Sequence, residues 1–247
     1  MLNNPYHTDP SVTSLSRGTA YTYDPIVETN ENLTINQTKR SAVFIDQADL
    51  AQSDFLKQME IAERQGILLN EQVESAVYAD HANRTDFGAG DITGGSVADT
   101  TTITVSATNI DDIIRHVKRV IRVANGESMM NQYGAYIVWR PADLEVLEGF
   151  MQANGFAMSD KALKDGLVQG VNYMGVTHFS SNLLTALHVM GGVAKSTGVG
   201  ILRSTYGQIK TIQDPGLISG IGIVSRVDYG VKQWFNTKPV SLDINVA

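Results

Sequence analysis

Cysteine is absent from the 247 residues, which removes disulfides, thiolate nucleophiles and cysteine-ligated metals from consideration. That absence fits a reducing compartment. No run approaches the roughly 18 consecutive apolar residues that a bilayer-spanning helix needs, and the opening MLNNPYHTDP has neither the basic region nor the apolar core of an export signal. Basic residues are the scarcer charge, 19 Lys and Arg against 26 Asp and Glu, for a formal net charge of −7. Strong, salt-sensitive adsorption of the whole surface to a nucleic-acid backbone is therefore disfavoured.

Catalytic motifs are equally sparse. GVAKSTG (192–198) has a Lys-Ser pair like a phosphate loop, but Ala194 stands where that loop requires Gly and Val189 where it requires another. In GAGDITGG (88–95), Thr93 replaces the third glycine of a dinucleotide fingerprint, and no strand leads in. His7, His81, His116, His178 and His188 show no metal-ligand spacing, and no G-x-S-x-G occurs. Asp46 with Asp49, and Asp111 with Asp112, are explained by helix starts, where the dipole favours negative charge. The expectation is thus no catalytic, cofactor or metal site.

What the sequence does contain is pattern. With 43% apolar residues and 22 glycines, the composition is that of a globular chain with many turns, long enough for one large domain or two small ones. Residues 1–20 are polar and read as an arm or disordered leader. Residues 21–46 read as two strands around a polar turn, with Leu33 and Ile35 on one and Val43 to Ile45 on the other. Phe55, Met59, Ala62, Gly66, Leu69, Val73 and Ala76 recur at steps of four and three, which predicts a long helix from Asp49 to near Asn83.

Asn109 is expected to cap a second helix, with Ile110, Ile113, Ile114, Val117, Val120, Ile121 and Ala124 on its apolar face and Asn125-Gly126 as its stop. Arg115, Lys118, Arg119 and Arg122 share the other face, for solvent, acidic neighbours or phosphate. AYIVW (135–139) reads as a buried strand, and Pro141 opens a third helix closed by Asn154-Gly155. Residues 167–179 predict two short strands around glycine turns, and Gly191-Gly192 break the apolar stretch that follows. Three terminal strands, 218–227, 231–235 and 240–246, are expected, separated by turns at 228–230 and 237–239, for a mixed α+β fold.

In that order the parts resemble the major capsid protein of tailed bacteriophages, whose fold is shared by herpesvirus capsids and encapsulins. LTINQTKRSAVFIDQADLAQSD (33–54) looks like the family's strand, acidic junction and spine helix; AYIVWRPADLEVL (135–147) like the strand, proline and helix of its axial domain. GVNYMGVTHFSSNLL (170–184) resembles its glycine-rich hairpin ending in a Ser-Asn pair, here Ser181-Asn182, and RVDYGVKQW (226–234) its late turn back to the peripheral domain. The likeness spans nearly all of residues 17–247.

The resemblance implies an N-terminal arm at 1–20, short for the family and so expected to be incomplete, and an extended hairpin loop at 21–45. It further implies a peripheral domain at 46–108 and 214–247 and an axial domain at 109–213. The implied function is a structural subunit, not an enzyme, that assembles into an icosahedral shell around double-stranded DNA. Hexamers and pentamers of the chain itself, with the hairpin over a neighbour, are the implied partners, alongside scaffolding, portal or decoration proteins. Packaged DNA would be contacted without specificity, no membrane is involved, and the virion is the final location after assembly in the host cytoplasm. In some relatives a hairpin Lys forms an isopeptide bond to an Asn. Lys39 is the sole Lys before Lys57, but no Asn partner is identified and the reaction is not carried over. The alternatives are an encapsulin-like nanocompartment shell, a cytoplasmic enzyme with a diffuse site near residues 109–125 and 170, and a β-rich tail component.

Overall fold

The computed structural model describes residues 2–7, 14, 16–20, 23, 25, 28–46, 55–94, 98–124, 126–154, 171–202, 205–214, 218–234 and 240–247. Strand β1 (Leu2–His7) precedes β2 (Glu28–Leu33) and β3 (Gln37–Asp46), and α1 (Phe55–Ala79) runs into a 3₁₀ turn at Asp80–Asn83. Next come β4 (Thr85–Phe87), α2 (Ala89–Ile92), α3 (Ile110–Val123), α4 (Glu127–Tyr133), β5 (Ala135–Trp139) and α5 (Pro141–Ala153). The remainder is strand: β6 (Val171–Tyr173), β7 (Val176–Ser180), β8 (His188–Val193), β9 (Thr197–Ile201), β10 (Thr205–Asp214), β11 (Ile218–Gln233) and β12 (Ser241–Asn245). The expected helix start at 49–54, the stops at 125 and 155 and the turn at 237–239 lie outside the described residues.

Periodicity explains the helices. On α3, Ile110, Ile113, Ile114, Val117, Val120 and Ile121 are all buried at 2% exposure or less, as a face of period 3.6 requires. They pack with Ile137, Trp139, Leu144, Leu147, Val189, Leu242 and Ile244 into the main core, which lies between the helices α3 to α5 and a six-stranded sheet. That sheet has the order β4-β12-β8-β5-β7-β6. Asn109 holds the N-cap position of α3, but its side chain turns back: Oδ1 accepts from the Ser106 N–H and Nδ2 donates to the Thr104 carbonyl.

A second sheet, β10-β11-β3 with β9 also on β11, carries α1 across one face. Odd-numbered residues of β11 face that helix. Leu69 packs on Val227 and Tyr229, with Val73 and Ala76 beside them. Farther toward the helix N-terminus the expected stripe fails, because Met59 is exposed and the buried contact is Gln65, which donates to the Ile223 carbonyl and accepts from the Ser225 hydroxyl. Beyond Val73 the helix reaches the other sheet: Tyr78 is buried with Val138 and Met190, and Ser181 donates to Glu74 at 3.0 Å. One helix therefore touches both sheets.

Several sequence expectations are corrected here. Residues 28–33 and 37–46 are both strands, but they do not form the expected hairpin with each other. β2 pairs antiparallel with β1, from Leu2↔Leu33 to His7↔Glu28, whereas β3 pairs with β11 from Gly220↔Asp46 to Tyr229↔Gln37. Part of the presumed leader is thus a strand. A strand's partner is chosen by non-local packing, which local alternation does not encode.

The break expected at 228–230 is also absent, since β11 runs unbroken through it. Gly230 is there for room: a Cβ would lie 2.1 Å from the Thr34 carbonyl oxygen, the close backbone approach that glycine in a strand often marks. Gly191 and Gly192 likewise sit within β8, and Gly192 has φ +148° with the Val240 carbonyl 2.3 Å from its missing Cβ. Gly230→Ala is expected to cost about 1–3 kcal/mol through overpacking, read as a lowered urea midpoint at unchanged m-value. A neutral result would show that Thr34 gives way freely.

Sheet membership cuts across the expected domain ranges. β12, from the stretch assigned to one domain, sits inside the six-stranded sheet, while β10, from the other, pairs with β11.

Candidate functional site

The β1–β2 ribbon departs from the body at a defined base. Leu33 is 2% exposed, Lys232 Nζ donates to the Asn32 carbonyl at 3.1 Å, and Thr34 packs over Gly230. Beyond that base, β1 makes substantial contact only with β2 among the described elements. A free two-stranded ribbon is marginal in water, so its order calls for a further surface.

Uncovered apolar residues lie on the four-stranded sheet of β3, β9, β10 and β11. Its face away from α1 presents Phe44 (43% exposed) and Val224 (37%) beside Arg40 and Arg226. Arg226 folds over Asp228 at 2.9 Å, and Thr38 donates to the same carboxylate, so these partners hold the Asp228 carboxyl below its usual range. On the outer surface of α1, Met59, Ile67 and Leu68 are exposed. Exposed apolar clusters rimmed by charge mark interaction surfaces more often than chance decoration. Lys39, expected on a hairpin, instead lies in this sheet on the helix side, lining a polar groove with Gln72, Asp80 and Tyr229.

The cationic face of α3 is consumed within the chain. Arg115 pairs with Asp111 and Asp112, Lys118 donates to the Met174 carbonyl, Arg119 to the Asp91 carbonyl, and Arg122 approaches Glu127 at 3.7 Å. No phosphate-binding stripe results. Of the two glycine-rich motifs, one is the β8–β9 turn, where Lys195 lies 4.5 Å over the Tyr133 ring; the other joins β4, a strand that the sequence did not reveal, to α2, with Gly88 at the N-cap and its N–H donating to Asp91.

Two polar clusters escaped the sequence reading. In the core, Trp139 Nε1 donates to His178 Nδ1 at 2.9 Å, so Nε2 carries the proton and faces the Tyr173 carbonyl at 3.3 Å. Burial pushes the His178 pKa down to about 4.

The second cluster joins residues far apart in the chain. Both faces of β12 are buried, and Ser241, Asp243 and Asn245 are 7% exposed or less. Over that polar face sit the 3₁₀ turn after α1 and the start of β8. His188 Nδ1 lies 2.7 Å and His81 Nδ1 3.6 Å from Asp243 Oδ2, and the two imidazoles stack at 3.7 Å with an 18° interplanar angle. Burial raises the Asp243 pKa, while His188, His81 and Arg84 oppose that rise. Asp243 Oδ1 is buried without a hydrogen-bond partner among the described residues. Sequence spacing pointed to no metal-ligand set, whereas the fold brings His81, His188 and Asp243 together, with one potential ligand atom of each within 4.8 Å of the others. Spacing could not have revealed it, because the sheet brings them together.

No family model matches the chain, and no curated protein matches it. Solved structures do. One from Mycobacterium phage Che8 aligns with a TM-score of 0.69 at 16% identity, over 99% of this chain and 84% of that one. The capsid structure of cyanophage P-SCSP1u gives 0.63 at 16% identity, over 100% and 83%. The mature capsid of bacteriophage PhiM1 gives 0.61 at 15%, over 100% and 82%. The chain therefore has the α+β fold found in these phage capsids.

Proposed function

We propose that this chain is the subunit of an icosahedral shell that encloses the double-stranded DNA of a tailed phage, and that its work is structural, not catalytic. The observation that carries the reading is the β1–β2 ribbon, ordered as a strand pair yet, among the described elements, without substantial contact to the body beyond β11. On a fold shared with phage capsids, such a ribbon is a donor of intersubunit contacts: its edge backbone groups find their partner on a neighbouring copy. The uncovered sheet face around Phe44 and Val224 is a natural receiving surface.

In this reading the four-stranded sheet with α1 forms the peripheral domain, and the six-stranded sheet with α3 to α5 forms the axial domain. The extended loop is the β1–β2 ribbon, in place of the 21–45 hairpin. Many individually weak contacts then add up in a closed symmetric shell. An acidic wall suits a DNA container, because packaged DNA must not adsorb to it strongly.

Size-exclusion chromatography followed by negative-stain imaging of the purified protein is the direct test. Rings or closed particles are expected. A monomer at every concentration, including with a co-expressed scaffold, would refute the reading. Particles that hold a cargo enzyme and no nucleic acid after expression in their native host would point instead to a nanocompartment shell.

A further inference from the structure

We propose that His81, His188 and Asp243 form a binding site for one divalent transition metal of the zinc class. The inference is independent of shell assembly.

The donor set is the first argument. Two imidazole nitrogens and one carboxylate suit zinc and its neighbours, and three protein ligands leave room for water as the fourth. Bonds of about 2.0–2.1 Å place tetrahedral donor atoms about 3.3 Å apart. The observed separations from Asp243 Oδ2, 2.7 Å to His188 Nδ1 and 3.6 Å to His81 Nδ1, bracket that value. Metal entry requires the stacked imidazoles to tilt out of their parallel arrangement.

The unpaired carboxylate oxygen is the second argument. Asp243 is 2% exposed, and its Oδ1 has no hydrogen-bond donor among the described residues. A buried polar atom without a partner is costly and calls for an explanation. A cation shared by both oxygens of this carboxylate supplies one, so Asp243 would bind through Oδ1 as well as Oδ2.

Scaffold rigidity is the third. Asp243 lies in β12, paired with β4 on one side and β8 on the other, and β8 also carries His188. His81 comes from the 3₁₀ turn that closes α1. The two imidazoles remain 28% and 24% exposed, which gives the ion a path from solvent.

Charge sets the class of metal. Arg84 is buried nearby and acts on Asp243, and Asp80, on the same 3₁₀ turn, acts on Arg84 in turn. With a single carboxylate and a guanidinium close by, hard cations such as Ca²⁺ and Mg²⁺, which need several oxygen ligands, are disfavoured. Metals that favour imidazole are retained.

The test uses the full chain without a histidine tag, stripped with chelator and titrated with ZnCl₂ near pH 7.5. One saturable site per chain is expected, with an unfolding midpoint that rises with Zn²⁺ and falls back on chelation. His81→Ala, at a partly exposed position, is expected to weaken binding by roughly 10- to 100-fold or more, by analogy with the sensitivity of such sites to their surrounding ligands. Co²⁺ in wild-type protein reports independently of any variant's folding: visible bands of tetrahedral intensity, displaced by Zn²⁺, support the site. Weak octahedral bands, no saturable binding at sub-millimolar metal, or equal affinity in a His81→Ala/His188→Ala chain would overturn it.

Discussion

A chain begun at Asn32, without the ribbon, is expected to remain folded and to lose shell formation outright. The truncation keeps what ties the ribbon base to the body: Leu33 stays buried, Thr34 still covers Gly230, and Lys232 can still reach the Asn32 carbonyl. What is removed is β1 and most of β2, whose extensive contacts are with each other. The protomer should therefore unfold within a few degrees of the intact chain, since a change of about 1 kcal/mol moves the midpoint of a domain this size by roughly 2–4 °C. Assembly behaves differently, because the same contact is deleted from every subunit and the losses multiply around a closed shell. Thermal unfolding and negative-stain imaging on the same preparation separate the outcomes. Particles as abundant as those of the intact chain would remove the ribbon from the assembly mechanism, and a truncated chain that cannot fold would show that the ribbon serves its own protomer.

Acidification is expected to remove about 3 kcal/mol of stability through His178 alone. Its ring is held neutral in the fold, with a pKa of about 4 against an ordinary value of 6.5. The unfolded chain therefore binds a proton that the folded chain refuses. Stability is fully present above pH 6.5, declines as pH falls through the window from 6.5 to 4, and levels off below it. Each pH unit inside that window corresponds to about 1.4 kcal/mol.

His178→Gln is the informative variant, because an amide oxygen can accept from Trp139 Nε1 while its NH₂ donates to the Tyr173 carbonyl, without titrating. Urea unfolding at several values between pH 7 and 4 should show a shallower acid slope for the variant. Asp99 and Asp228 carry lowered carboxyl pKa values and add acid sensitivity of their own. They are common to both proteins, so the difference isolates His178. Parallel slopes would mean that the ring is protonated in the native state.

Helix content was legible wherever local chemistry decides it. On α3 each expected core position is buried, save Ala124 at its end, and Pro141 opens α5 as its fixed φ allows. Strand existence was legible too, at β3, β5, β7 and β12. Partnership was not, because β3 alternates the same way whether it pairs with β2 or with β11, and only the packing of Ile223, Ser225 and Val227 under α1 selects the latter. Glycine misled for a related reason. A turn and a close approach both demand the missing Cβ, and Gly230 meets the second need. The His81–His188–Asp243 cluster had no local signal at all, since the three residues come from a helix end and two sheet strands.

One consequence follows from α1 lying on β11 near Leu69 and on the six-stranded sheet at Tyr78. Its 25 residues make a rod about 38 Å long, clamped at separate points along its length, so the two sheets are geared together. Leu69 and Tyr78 lie about 14 Å apart along that rod, so a pivot of about 5° at Tyr78 carries the helix about 1 Å across β11. A displacement of the strand under Leu69 is thereby passed to the strands around Val138 and Met190 as a small tilt of one rigid element.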